Sequence, residues 1–249
     1  MLLKKISLLT ERVSDWSVYP FSVPTIASFR EIEIRKPVVF FAGENGSGKS
    51  TFLEAIAIHY GFGGEGGNRN FGASTTESVR AVDPLVKALR IAFSRRTGRG
   101  FFLRAESFFN IASAIDAIGS VNAYGGRSLH AQSHGESFIA LTANRMKRDG
   151  LYIMDEPEAA LSAQRQLSLL VIIHDLVKRN REVQVIIATH SPILLAYPDA
   201  QILSFDENEL HEIQYKQSPP YQLYSRFLAD PNRYLDALFE DEPLLSDDG

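Results

Sequence analysis

Polar and apolar residues alternate at the start of "SFREIEIRKPVVFF" (28–41) and then merge into a continuous apolar run. This predicts an outer strand leading into a strand buried on both faces. "STFLEAIAIHY" (50–60) predicts a helix, and residues 61–78, rich in Gly, Asn, Ser and Thr, predict a mobile loop. "LRIAFSRRTGRGFFLRAES" (89–107) predicts two strands joined by a basic turn at Arg95–Gly100. From 136 the pattern becomes helix, strand, helix, strand. Phe138, Leu141, Arg145 and Met146 share one side of the first helix, and "LYIM" (151–154) is a short buried strand. Leu167, Leu170, Val171, His174 and Val177 recur at helical spacing, and "VQVIIAT" (183–189) is a second buried strand. Strands alternating with helices predict an α/β fold with a mostly parallel sheet flanked by helices. An antiparallel β portion is expected at the N-terminal end. The last 49 residues predict a hairpin turning at Asp206–Glu209, a short helix and an acidic tail. We expect one domain over 1–235 and a disordered tail over 236–249.

Composition narrows the function classes. A chain of 249 residues with 45% hydrophobic content can bury a sizeable core. The absence of cysteine excludes disulfides and thiolate metal sites. Two lysines interrupt the apolar start "MLLKKISLLT", unlike a signal peptide, and no apolar run approaches the roughly 20 residues of a membrane span. A cytoplasmic protein without direct membrane insertion is expected. A net charge of −4 supplies no bulk attraction to nucleic acid.

The chemistry begins at "GENGSGKST", which comprises Gly43, Glu44, Asn45, Gly46, Ser47, Gly48, Lys49, Ser50 and Thr51. It fits G-x-x-x-x-G-K-[ST] and sits between a predicted buried strand and a predicted helix, the context that gives this motif its meaning. Glycines let backbone N–H groups turn inward around phosphates, and the helix start adds the positive end of its dipole. Lys49 would reach the β- and γ-phosphates and Ser50 would bind Mg²⁺. A nucleoside triphosphate with Mg²⁺ is the expected ligand.

"LYIMDEPEAALS" places Asp155 and Glu156 at the C-terminal end of an apolar strand, where open α/β sheets bind ligands. Asp155 would hold the Mg²⁺ shell and Glu156 would polarise the attacking water. "VIIATHSP" repeats the design, with His190 at the end of the second strand, where an imidazole could contact the γ-phosphate. His59, His130, His174 and His211 have no comparable setting and are expected to be structural.

Taken in order, the phosphate loop, "QSHGE" (132–136), the acidic strand and the terminal histidine resemble the ABC-type ATPases over about residues 38–192. In that family a short signature opens a helix, and its serine and glycine cap the γ-phosphate held by the opposite subunit. "QSHGE" matches Leu-Ser-Gly-Gly-Gln/Glu, with Ser133 as the serine, Gly135 as the second glycine and Glu136 last. Gln132 and His134 depart from the pattern. Glu158-Ala-Ala-Leu-Ser162 aligns with the family's D-loop, with Ser162 in place of the usual aspartate. For the family's glutamine loop the nearest equivalents are Glu106 and Ser107. For its aromatic adenine platform the candidates are Trp16, Tyr19 and Phe21. Within the superfamily, the motifs look most like the small, soluble predicted ATPases related to the RecF and SMC group. The stretch between Lys49 and Ser133 leaves no room for a long coiled coil.

The resemblance implies a P-loop NTPase that hydrolyses ATP and dimerises around two ATP molecules. What the motion drives stays open. A nucleic-acid or repair machine is one candidate, and the ATP-binding subunit of a membrane transporter is another. A third is an ATP-gated binding module without useful turnover. Any partner protein is unidentified by the sequence.

Overall fold

The computed structural model describes residues 2–64, 77–105 and 134–239. β1 (Leu3–Leu8) opens the chain, followed by α1 (Pro24–Ser28), β2 (Glu31–Glu33), β3 (Val38–Ala42) and α2 (Lys49–Tyr60). Then come α3 (Glu77–Ala88), β4 (Leu89–Phe93) and β5 (Gly100–Arg104). After residue 133 follow α4 (His134–Arg145), β6 (Gly150–Asp155), α5 (Ala163–Arg179), β7 (Val183–Ala188) and α6 (Pro192–Leu195). The chain ends in β8 (Gln201–Ser204), β9 (His211–Ile213), α7 (Pro219–Ala229) and α8 (Pro231–Phe239).

Among the described residues the strands form two sheets. The larger runs β5-β6-β7-β3-β8-β9, parallel throughout except for the β8–β9 hairpin. The smaller is antiparallel, with β1 between β2 and β4. The pleat of β3 splits its side chains between two cores. Val39 and Phe41 join one with Phe52, Ile56 and the small sheet, whereas Val38 and Phe40 join the other with Met154, Leu169 and Ile173. Burial on both faces explains why β3, β6 and β7 read as continuous apolar runs.

Two buried glutamines stitch the sheets together. Gln184 Oε1 accepts from the backbone N–H of Leu2 and Leu3, and its Nε2 donates to Leu3 O at 3.2 Å. Gln201 Oε1 accepts from Arg35 N, and its Nε2 donates to Glu33 O at 2.9 Å. A buried amide that meets several partners offsets its own desolvation.

Three expectations need adjustment. β4 and β5 both form, yet they do not pair: β4 joins β1 and β5 joins β6, so Arg95–Gly100 crosses between sheets. β5 lies so close to β6 at Gly100 that an added β-carbon would sit 1.7 Å from Leu151 O, a position only glycine fills. On α5, Leu167 and Val171 are 48% and 62% exposed, and the buried face is Gln166, Leu169, Ile173 and Leu176. Two apolar stripes fit the same helical period, and only the sheet beneath selects between them. At the C-terminal end the hairpin turns over 205–210 as expected, but two helices follow it, and α8 runs through Phe239. Residues 240–249 of the expected tail, and most of the loop over 61–78, lie outside the described residues.

Candidate nucleotide site

The phosphate-loop segment leaves β3 at Gly43 and enters α2 at Lys49. Gly43, Gly46 and Gly48 have φ of 150°, 82° and 99°. Gly48, at the helix cap, is left-handed, a conformation that costs a β-carbon-bearing residue energy. At Gly43 an added β-carbon would come within 3.0 Å of Asp206 Oδ1 and Ser47 Oγ. α2 is anchored just behind the loop. Phe52 packs against Phe29, Phe41 and Phe205 with ring centroids 5.0, 5.9 and 5.6 Å away. Such edge-on pairs add about 0.5–1.5 kcal/mol each beyond area burial.

Lys49 is buried, and its Nζ donates to Gly43 O at 2.7 Å and Glu44 O at 2.6 Å. Burial holds its ammonium below the ordinary lysine pKa, while the carboxylates of Glu156, Asp206, Asp155 and Glu158 pull it back up. Ser50 Oγ donates to Asp155 Oδ1 at 2.9 Å, so helix start and acidic strand meet. A cleft of about 460 Å³ is lined by Lys49, Ser50, Thr51, Arg104 and Glu156, together with Asn45, Gly46, Gly48, Tyr19 and Val23. That volume lies within the range of small-molecule sites.

The acids and the histidine leave adjacent strands. β7 lies between β3 and β6, so the strand ends carrying the loop, His190 and the acidic pair are neighbours. Glu156 is left-handed, with φ 47° and ψ 52°, and its N–H donates to Ala188 O at 2.9 Å. Such a backbone for a non-glycine residue costs of order 1–3 kcal/mol and clusters at working sites. Pro157 then starts a 3-10 turn through Ala160. His190 is half-exposed and is not among the cleft-lining residues.

Of the signature segment only His134, Gly135 and Glu136 are described. Ser133, Gln132, Glu106, Ser107 and His130 lie outside the described residues. His134 starts α4, and Gly135 packs so closely that an added β-carbon would meet Arg165 at 2.8 Å and Ala160 O at 3.0 Å. Glu136 pairs with Arg165 at 2.9 Å. Neither Gly135 nor Glu136 lines the cleft. Ser162 is exposed and caps the start of α5 through its carbonyl. Of the aromatic candidates, Tyr19 reaches the cleft and shares a 2.9 Å hydrogen bond with Thr51. Phe21 is buried in the core, and Trp16 packs edge-on against it. Among the remaining histidines, His174 is exposed beside Tyr197, and burial lowers the pKa of His59.

The AAA domain family matches residues 24–214, an interval that takes in the phosphate loop, the acidic pair and His190. The chain belongs to that family. It is an ABC-type P-loop ATPase by superfamily. It is 26% identical over 197 residues to the aliphatic sulfonates import ATP-binding protein SsuB 2 of Rhizobium johnstonii, covering 77% of this chain and 76% of that one. It is 31% identical over 160 residues to the uncharacterized ABC transporter ATP-binding protein Rv2326c of Mycobacterium tuberculosis, covering 61% of this chain and 22% of that protein. The match thus spans about a fifth of that relative's length. A solved SMC head domain from Thermotoga maritima is 15% identical, with a TM-score of 0.46, over 86% of this chain and 99% of that one. Among the described residues of this ABC-type protein, no helix is long and apolar enough to cross a membrane.

Around the AAA-domain site stand three residues that sequence reasoning missed, and Glu158, which it read only as the start of the D-loop segment. Asp206 Oδ1 accepts from Glu44 N at 2.9 Å and tethers the loop to the end of β8. Arg104, at the end of β5, donates to Glu54 Oε2 at 3.0 Å and lies 3.5 Å from Asp155 Oδ2. Glu54 projects from α2 and is buried. Glu158 Oε1 accepts from Thr189 Oγ1 at 2.6 Å and from His190 N at 2.8 Å. The usable signal was position: Arg104 and Asp206 both close strands at the edge that carries Asp155.

Proposed function

We propose that this chain binds and hydrolyses ATP and that two copies close around two nucleotides. The observation that carries the reading is the convergence of Lys49, Ser50 and Glu156 on one cleft, with Asp155 hydrogen-bonded to Ser50. Backbone N–H groups of Gly43–Thr51 and the start of α2 receive the phosphates, and Lys49 meets the β- and γ-phosphates. Ser50 and Asp155 form a hard oxygen pair that fits Mg²⁺, which characteristically takes one or two protein oxygens and completes its shell with phosphate and water. When bound, that ion neutralises charge on the phosphate oxygens. Glu156 orients the attacking water and accepts its proton, and its left-handed backbone turns it out of the strand toward the cleft. His190 contacts the γ-phosphate.

Ser133 and Gly135 of one copy cap the nucleotide of the other. Supporting this, Gly135 packs on its own Ala160 and Arg165 and contributes nothing to its own cleft. The test is light scattering on Glu156→Gln, which should bind ATP without turning it over. ATP should drive it from monomer to dimer, and Ser133→Arg on that background should stay monomeric with near-normal ATP affinity. A Glu156→Gln chain that remains monomeric with saturating ATP at high protein concentration overturns the composite site.

For the task driven by hydrolysis, two readings compete. The SsuB 2 match, over most of both chains, supports the ATP-binding subunit of a transporter. A nucleic-acid machine has less support, because the net charge is −4 and two arginines of the exposed basic turn already have partners in the chain. Arg95 pairs with Glu182 at 3.2 Å, and Arg96 stacks over Phe93 at 4.5 Å. DNA binding that weakens steeply with salt would favour the nucleic-acid reading.

A further inference from the structure

Glu158 is absent from the cleft-lining residues, yet it is the carboxylate on which the exit of β7 converges. Its side chain is 7% exposed, and Oε1 gathers three contacts from two successive residues. Thr189 Oγ1 donates at 2.6 Å, His190 N donates at 2.8 Å, and His190 Nδ1 lies 3.4 Å away. The other oxygen, Oε2, is buried and has no hydrogen-bond partner. A buried carboxylate left half-satisfied is costly. Capping a strand end needs only a neutral acceptor, which a glutamine carbonyl supplies. What the carboxylate adds is negative charge against one face of the imidazole.

We propose that Glu158 is the positioning residue for His190. At 3.4 Å from Nδ1, a carboxylate's charge repels a nitrogen lone pair and attracts an N–H, so it favours the proton on the nitrogen that faces it. Glu158 therefore holds His190 with Nδ1 protonated and leaves Nε2 as the nitrogen available to a ligand. Thr189 and the His190 N–H lock the carboxylate, and its charge then faces Nδ1 of the ring. Because Glu158 belongs to the 3-10 turn directly after Pro157, any shift of that turn moves the histidine with it. The turn also supplies Ala160 O to the packing around Gly135. The same short turn thus contacts both the signature helix and His190. The phosphate contact of His190 rests on the function proposed above, but its proton position does not.

The experiment is ¹⁵N–¹H spectroscopy of the full chain carrying ¹⁵N-labelled histidine, without nucleotide, with the His190 signals assigned by their loss in His190→Gln. In wild type, Nδ1 should bear a proton, in the neutral ring or in the imidazolium. In Glu158→Gln the proton should move mainly to Nε2, while signals of the other histidines hold still. Turnover provides the second readout: Glu158→Gln should lower kcat roughly 10-fold, with KM for ATP nearly unchanged, as expected for loss of an orienting partner. A wild-type His190 protonated only on Nε2 overturns the proposal, and that measurement needs no variant to fold. A proton that stays on Nδ1 in a folded Glu158→Gln chain also overturns it. Absence of ATP turnover in wild type would instead remove the proposed function and leave the spectra to decide Glu158.

Discussion

The two halves of the site are built in opposite ways. The phosphate-loop half is one contiguous stretch, Gly43–Thr51, shaped by glycine backbone angles and held between β3 and α2. The other half is a rim of single residues closing separate strands: Arg104 from β5, Asp155 and Glu156 from β6, His190 after β7 and Asp206 after β8. The first half is defined by local conformation, so a substitution there acts where it is made. The second depends on strand order and on buried charge. A carboxylate such as Asp155, touched by both Ser50 and Arg104, transmits change from one element to another. Chemistry is expected to be concentrated at Glu156 in the rim and affinity in the loop, with Asp206 the rim residue that serves the loop.

The largest expected effect tests that division. Glu156→Gln should lower ATP turnover by roughly 10²–10⁴-fold, the range of a positioned acid–base group, with ATP affinity nearly unchanged. Equal losses in both would mean that the rim also binds. Next, Lys49→Ala should weaken ATP binding about 100-fold by calorimetry with Mg²⁺ present, from loss of charge-assisted hydrogen bonds worth about 3 kcal/mol. Affinity within a few-fold of wild type would dissolve the comparison from the loop side.

Smaller effects sharpen the rim. Arg104→Gln removes the cation beside Glu54 and Asp155, whose side chains are 5% and 6% exposed. It should cost the nucleotide-free chain about 2–3 kcal/mol in urea unfolding, less than a fully buried pair because Arg104 keeps some solvent. No stability change would make Arg104 a bystander. The smallest effect is expected at Asp206→Ala, where Glu44 N loses its tether. ATP affinity should fall roughly 5-fold, near the 1 kcal/mol of one hydrogen bond, with kcat preserved. A kcat loss as large as that of Glu156→Gln would place Asp206 with the chemistry.

What could be read from the chain alone was whatever a short window encodes. The glycine spacing before Lys49 dictates a tight turn because left-handed angles disfavour β-carbons, and the short apolar runs at β3, β6 and β7 have the length and composition of strands buried on both faces. Asp155, Glu156 and His190 were legible because each ends such a run. Tertiary structure decided the rest. Leu167 and Val171 share the helical period of α5 with Leu169 and Ile173, and only docking on the sheet determined which stripe met water. β4 and β5 follow one another like a hairpin, yet β5 pairs with β6 in the parallel sheet, and that pairing carries Arg104 to Asp155. Asp206 and Glu158 reach Glu44 and His190 across 162 and 32 residues of chain. Periodicity and spacing describe neighbours along the backbone, whereas a buried carboxylate is defined by the donors that strand order brings to it.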